Sequence, residues 1–447
     1  MKLTFCGGVK SVTGANYLLE NDNTKFLVEC GLYQGEKFCE EENYNPFLYN
    51  PEEIRAVFIT HAHLDHIGRL PQLVRQGFRG KIYSTRPTKD LALFILLDAA
   101  HLFLEHKEKP PLYFEEDIFK TMELWETVDY HSPLEIEGVS FEFISAGHIL
   151  GSASLIVSWG DKKIVFSGDL GNVFSPFIAP KEIPPFANYV VLESTYGDRK
   201  HQNIKNRQEV LLKYIQNVLD NKSVLLIPAF ALERTQELIF DLNYLVEHIL
   251  KTKIKVFVDS PLAFKIFEVF RKYSLNPLYF KKEVIEIQKE GDNIFDFKGL
   301  RIISSWEESQ EIFKTPPPKV IISAAGMSNG GRILLHEIEY LGDPKNILLI
   351  VGYQVPNSLG EKILRGEKIV TILEKRVNVR AKVDFFDGYS AHADLEELIN
   401  WLSGIGGIQK VFVVQGETKA SLNLIDNIQN KLNLYAFLPS LGESVVL

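Results

Sequence analysis

The sequence predicts an α/β protein in which a parallel α/β cassette interrupts a β-rich host. Three observations carry that expectation. Residues 1–198 and the segment from 366 onward read as short strands and tight turns. Residues 199–365 read as continuous apolar strands alternating with helices. The chain has 447 residues, more than one hydrophobic core ordinarily serves, so two domains are expected.

Taken in order, LTFCGG, NYLLEN and TKFLVECG are apolar or alternating runs separated by Gly and Asn, as in strands joined by turns. IRAVFIT (54–60) is an apolar strand that runs into a histidine-rich segment. KIYST is another strand, followed by a helix over about 88–106. VSFEFISAG, ASLIVSW and KKIVFSGD return to strands, and NYVVLEST closes the first part. The pattern then changes. A helix over 207–219 precedes SVLLIPAF, the helical run ALERTQELIFDLNYLVEHIL and KIKVFVDS. KVIISAAG, a helix near GGRILLHEIEYL and NILLIVGY follow. Strands that are apolar along their whole length belong in a parallel sheet covered on both faces. KVFVVQGE and LYAFLPSL are the last strands, PPP at 316–318 marks a loop, and the chain carries no repeat or low-complexity tract.

Hydrophobic residues make up 45% and charged residues 24%, as in ordinary soluble globular proteins. The net charge of −9 is not that of a chain built to wrap nucleic acid with its whole surface, yet it leaves room for a local basic groove. Cys6, Cys30 and Cys39 form no CxxC pair and fit a reduced, intracellular protein. MKLTFCGGVK lacks the apolar core and cleavage site of a signal peptide, and no apolar run reaches the 18 residues of a membrane span. A cytoplasmic protein without a membrane partner is expected.

The chemistry concentrates in THAHLDHIGRLPQL. His61, His63, Asp65 and His66 fall within six residues, directly after an apolar strand. Imidazole nitrogens and carboxylate oxygens are the donors zinc takes, and a turn at a strand end can aim successive side chains into one cavity. The chain holds only 11 histidines, so three of them beside an aspartate argue against chance clustering in a polar loop. ISAGHILGSAS places His148 in a Gly-rich loop after a strand, and VFSGDLG places Asp169 directly after another. Alone, each would be an ordinary turn residue. With the first cluster they supply a third imidazole for one metal and a carboxylate able to bridge two.

HAHLDH with a downstream GH and SGD resembles the metallo-β-lactamase superfamily. LESTYGD, PAFALERTQEL, SAAGMSNGGR, VGYQ…LG, GYSAHAD and VVQGE, in that order, resemble the β-CASP nucleases. Among them the chain is most similar to the cleavage and polyadenylation specificity factor endonuclease and its prokaryotic relatives, over essentially its whole length. The resemblance implies a metallo-β-lactamase αββα sandwich of 1–198 and 366–447, with a β-CASP α/β domain, 199–365, inserted and covering the site. It implies that His61, His63 and His148 hold the first zinc, that Asp65 and His66 hold the second, and that Asp169 bridges them. Glu193 and His392 fall on the family's paired β-CASP motif positions, where they help protonate the leaving oxygen. Asp65, Glu193 and His392 are thus the expected catalytic set. Two cations about 3.5–4 Å apart and an imidazolium donor suit hydrolysis of a phosphodiester. Apart from the resemblance, Glu193 would be a solvated strand-end carboxylate and His392 a residue near a helix start, with Ser390 capping a helix from about Ala391.

Three positions depart from the family pattern. Glu29 stands where aspartate is usual and orients the ligand loop from behind. Gln415 stands in QGE where the family has HGE and a zinc-binding histidine; a neutral amide is a weaker ligand, so the second zinc is expected to bind weakly, to exchange or to be absent. Glu233 stands where relatives often carry glycine. The glycine-rich stretch 326–332, with Gly330, Gly331 and Arg332, precedes a helix and offers backbone amides to phosphate; Ser390 is a further phosphate contact. The basic run 374–382 reads as a solvated strand face. The sequence therefore points to a zinc-dependent nuclease acting on single-stranded RNA, with a homodimer compatible. The competing readings are an RNA-binding homologue with weakened catalysis, a DNA-directed enzyme and a non-nucleolytic hydrolase of the same superfamily.

Overall fold

The computed structural model describes every residue except 23, 36–39, 106–108, 202–205, 251–252 and 356. The chain forms two compact units, one of Met1–Gln34, Cys39–Lys200 and His392–Leu447, the other of Gly35–Phe38 and His201–Ala391.

The first unit holds two seven-stranded sheets. One runs in the order Ser444–Val446, Lys2–Gly7, Asn16–Asn21, Thr24–Val28, Ile54–Phe58, Lys81–Ser84, Trp125–Thr127. The other runs Ala436–Phe437, Lys410–Val414, Tyr189–Glu193, Lys162–Phe166, Ala153–Trp159, Val139–Ser145, Leu134–Ile136. Their inner faces meet through aromatic rings. Phe58 stacks on Phe141 with centroids 3.8 Å apart, Phe26 meets Phe141 at 5.0 Å, and Phe5 meets Phe412 at 5.3 Å. Burying each such side chain is worth roughly 1.5–3 kcal/mol, so this seam is a principal source of cohesion.

On the outer face of the second sheet, Leu395–Ser403 and Thr418–Leu432 set Leu398, Trp401, Leu402, Leu424 and Ile428 against Val165, Val190, Leu192, Val411 and Val413. Helices Leu70–Arg75, Arg86–Glu105 and Glu115–Glu123 pack together on the side of Trp125–Thr127. The layering is α, β, β, α, as the fold class required. The helix expected from Ala391 under a Ser390 cap instead starts at Leu395. Asp394 and Glu397 form a capping box there, each side chain accepting a backbone N–H of the other. Ser390 ends a short 3₁₀ turn, Asp387–Tyr389.

The pairing pattern places the chemistry. Lys410–Val414, Tyr189–Glu193 and Lys162–Phe166 are mutually parallel; Val139–Ser145 shares their direction because both it and Lys162–Phe166 pair antiparallel with Ala153–Trp159. In the facing sheet, Thr24–Val28 and Ile54–Phe58 are parallel neighbours. The residues just past these six strand ends are Gln415, Ser194, Ser167, Ala146, Glu29 and Ile59.

The second unit is built on a parallel six-stranded sheet, Leu300–Ile303, Lys255–Asp259, Lys319–Ser323, Val224–Pro228, Ile347–Ile350, Lys382–Phe385. A hairpin, Ile369–Ile372 with Lys375–Asn378, lies after residue 365. Its Val370, Ile372 and Val377 join the core of this unit with Leu226, Ile321 and Leu348. The apolar alternation of the hairpin therefore serves the second unit, which extends to Ala391 rather than ending near 365. Among the described residues no helix is long and apolar enough to cross a membrane.

Candidate metal centre

His61 and His63 follow the strand Ile54–Phe58 in an extended turn, and Leu64–Ile67 then forms one helical turn carrying Asp65 and His66. Backbone bonds from Ala15 N to Asp65 O, Cys30 N to His66 O and Leu32 N to Leu64 O tie this turn to the neighbouring loop. Gly31 lies against the Asp65 carbonyl so closely that a Cβ has no room there.

Two donor groups result. In the first, His61 Nε2 lies 3.1 Å from His63 Nδ1 and 3.4 Å from Asp169 Oδ2. His148 Nε2 lies 3.3 Å from His63 Nδ1 and 3.6 Å from Asp169 Oδ2. In the second, His66 Nε2 lies 3.3 Å from Asp169 Oδ1 and 3.6 Å from Asp65 Oδ2. The two oxygens of Asp169 thus face different groups. Asp169 Oδ1 is buried without a hydrogen bond among the described residues. A carboxylate oxygen in that position is costly unless it coordinates a cation. Both groups have the compactness of a cation's ligand set, every donor atom of a group lying within 4.8 Å of the others.

The surroundings fix these rings. Thr60 Oγ1 stands 3.0 Å from His61 Nδ1, which turns Nε2 inward. Glu29 Oε1 accepts the Thr60 N–H at 3.1 Å and lies 3.6 Å from His66 Nδ1. Ser152 Oγ accepts the His148 backbone N–H at 2.9 Å. Burial holds His63 and His148 well below the ordinary imidazole pKa, which keeps their lone pairs available. Burial also opposes charge on His66, but Asp169, Asp65 and Glu29 outweigh it and raise that ring. Burial pushes Asp65 up, whereas His66 and His61 overcome burial at Asp169 and hold it low.

Beside the first group stands the pair of Glu193 and His392. His392 Nδ1 is 3.3 Å from Glu193 Oε2, and its ring centroid is 4.4 Å from that of His148. Glu193 Oε1 accepts the Leu170 N–H at 2.6 Å. Burial disfavours a charged His392, yet Glu193 outweighs it and raises the ring's pKa. The placement of His392 depends on residues that the sequence did not single out. Gly171 bridges to His392, Lys181 Nζ donates to Gly171 O at 2.5 Å, and Glu397 accepts the Val173 N–H at 2.6 Å. Only the Asp394–Glu397 spacing carried a signal, that of a capping pair.

Gln415 is buried beside the second group. Its Nε2 lies 3.2 Å from His66 Nε2 and donates to Val12 O at 3.3 Å. The remaining sequence candidates lie in the second unit. Arg332 Nη1 is bound to Asp259 Oδ1 at 2.7 Å and to Ser305 O at 3.0 Å. Asp259 Oδ2 also meets His336 Nε2 at 2.7 Å and accepts from Ser309 Oγ at 2.6 Å. Gly330 and Gly331 form the turn before Ile333–Tyr340, and Ser390 is buried.

Comparison with known proteins adds three family matches. The model described as the metallo-beta-lactamase superfamily matches residues 12–197, that of the Beta-Casp domain 235–363, and that of a Zn-dependent metallo-hydrolase RNA specificity domain 376–439. Ribonuclease TTHA0252 of Thermus thermophilus is 36% identical over 424 residues, 95% of either chain. Transcription termination factor FttA of Methanosarcina mazei is 30% identical over 97% of this chain and 70% of its own length. An RNase J-like protein of Methanocaldococcus jannaschii is 29% identical over 98% of each. A crystal structure of a protein of unknown function from Enterococcus faecalis shares the fold, with a TM-score of 0.57 at 13% identity over 100% of this chain and 99% of that one.

Proposed function

The chain belongs to the metallo-β-lactamase superfamily in its β-CASP branch, and from that premise we propose that its centre hydrolyses phosphodiester bonds of single-stranded RNA with zinc. It is a metal-dependent hydrolase of the ribonuclease type. One observation carries the reading: Asp169 presents one oxygen to the His61, His63 and His148 group and the other to the Asp65 and His66 group. Zinc in the first group is supported by its donors. Tetrahedral ligands at a Zn–N distance of about 2.0–2.1 Å stand about 3.3 Å apart, and four of the six separations there run from 3.1 to 3.6 Å, with all six within 4.8 Å.

Cations held there supply positive charge to the scissile phosphate and lower the pKa of water. The protein's own groups do the rest. Asp169, shared by the two donor groups, keeps them at a fixed spacing, and Asp65 completes the second. Glu193 engages Nδ1 of His392, which leaves Nε2 to deliver a proton to the departing ribose oxygen. Single-stranded RNA as the substrate is supported by the RNA specificity match at 376–439 and by the ribonuclease relative. A cytoplasmic location fits Cys6 and Cys30, both buried as free thiols.

The test is cleavage of a 5′-labelled single-stranded RNA, and of DNA of the same sequence, by metal-stripped and zinc-reloaded protein. Reloaded protein should cut the RNA, and His63→Ala should lose both cleavage and one zinc per chain. Binding of RNA without cleavage at saturating zinc would replace this reading with that of a catalytically silent RNA-binding protein.

A further inference from the structure

The two donor groups differ in chemical kind. The first offers three imidazole nitrogens and one carboxylate oxygen; the second offers one imidazole and two carboxylates. What completes the second group depends on Gln415.

The backbone of Gln415 is pinned at the site. Its N–H donates to Gly8 O at 2.8 Å, and its carbonyl accepts from Ser194 N at 3.1 Å and Thr195 Oγ1 at 3.2 Å. Only the side chain can change what it presents. Nε2 now faces His66 Nε2 and donates to Val12 O, while Oε1 is buried with no hydrogen-bond partner among the described residues. Rotation of the amide by half a turn exchanges these two atoms. Oε1 would then stand where Nε2 stands, 3.2 Å from His66 Nε2, a separation within the range of the first donor group. Gln415 Oε1 lies 2.4 Å from the position that a Cβ on Gly8 would take. The absence of a side chain on Gly8 is what lets the amide sit there.

We propose that the second site, completed by Gln415 Oε1, is an oxygen-rich site whose preference for Zn²⁺ over Mn²⁺ is much weaker than that of the first site, so that a chain given one equivalent of zinc and excess manganese carries a mixed centre with zinc in the first site. This rests on the metallo-hydrolase reading above. One nitrogen and three oxygens, one of them an amide carbonyl, suit manganese; three imidazoles suit zinc. An imidazole at position 415 would make the second set two nitrogens and two oxygens and remove the distinction.

The experiment reads metal binding rather than turnover. Metal-stripped protein takes one equivalent of Zn²⁺ and is then titrated with Mn²⁺, the free ion being followed by its EPR signal and bound metals by elemental analysis. Wild type should bind one Mn²⁺ per zinc-loaded chain, and displacing that Mn²⁺ should take a larger excess of Zn²⁺ than the same displacement in Gln415→His. Gln415→His should shift the zinc-to-manganese preference of the second site toward zinc by roughly tenfold or more, the scale on which changes around a metal alter affinity. Gln415→Glu, which keeps an oxygen donor, should retain manganese and bind it more tightly. A zinc-to-manganese preference of the second site that Gln415→His leaves unchanged overturns the proposal, as does a first zinc followed by no second ion. Failure to bind even the first zinc would instead refute the metallo-hydrolase reading.

Discussion

Glu337 gives a prediction whose size follows from its surroundings. It lies on the helix Ile333–Tyr340, fully buried, with Oε1 accepting from Ser328 Oγ at 2.5 Å and Oε2 without a partner among the described residues. Burial raises its carboxyl from 4.5 to about 8, against a smaller opposing effect of the Ser328 hydroxyl. The folded protein therefore keeps this proton up to about pH 8, while the unfolded chain gives it up near 4.5. The native state binds the extra proton between those values, so its contribution to stability is complete below 4.5 and falls as pH rises to about 8. At 1.36 kcal/mol per pH unit the loss is about 3 kcal/mol by pH 7 and about 5 kcal/mol above pH 9. Glu337→Gln removes the titration and keeps the acceptor for Ser328. The amide N–H₂ replacing Oε2 is left unpaired at a cost of about 1–3 kcal/mol that does not vary with pH. Urea unfolding of both proteins from pH 5 to pH 9 should give curves that converge and cross, with the variant relatively more stable at the alkaline end. Parallel curves would show that Glu337 is ionised in the fold and that the burial argument is wrong.

Two predictions concern the proposed chemistry. His392→Ala should slow single-turnover cleavage about a hundredfold or more while changing RNA affinity by less than about threefold, since proton delivery operates in the transition state; equal losses in rate and affinity would make His392 a binding residue. The affinity for single-stranded RNA, measured by filter binding, should fall linearly in log–log form with salt at about −0.7 per phosphate neutralised, despite the net charge of −9. A flat salt dependence would mean that phosphate is not what the protein grips.

The legible part of the structure is the part written in local pattern. The strands 54–60, 140–145 and 162–166 could be read because each is a short apolar run bounded by turn residues, and each delivers its functional side chain at its C-terminal end. The cluster His61, His63, Asp65 and His66 was visible because it is contiguous. His148 and Asp169 are ordinary turn residues by local criteria, and they gained meaning only beside that cluster and the family resemblance; their convergence comes from two strands that flank Ala153–Trp159 and run in the same direction, which no local window contains. The hairpin 369–378 shows the opposite failure. Its alternation predicted strands correctly, but which core Val370, Ile372 and Val377 would enter is a long-range fact. The helix start at Leu395 was written in the Asp394–Glu397 capping pair and was obscured by Ser390, five residues earlier.

The three departures from the family pattern share a backbone property. Glu29 has φ +65°, Gln415 φ +48° and Glu233 φ +66°. The family's usual residues there are aspartate, histidine and often glycine, all types that tolerate positive φ. Long unbranched glutamate and glutamine have no such advantage, and a side chain in this region costs of order 1 kcal/mol or more. Backbone comfort therefore does not account for them, and at two of the three positions the side-chain contacts do. Glu29 Oε1 stands 3.6 Å from His66 Nδ1, and Gln415 Nε2 stands 3.2 Å from His66 Nε2. The two altered residues flank one imidazole, and that imidazole belongs to the second donor group. Every donor of the first group, His61, His63, His148 and Asp169, keeps the family's residue type. A chain that strains its backbone twice around one ligand of one site, and leaves the other site unaltered, is what the proposal of two cations of unequal character expects. The same geometry implies that Gln415→His relieves strain rather than adding it, so the variant that tests the second site's selectivity should fold at least as well as the native chain.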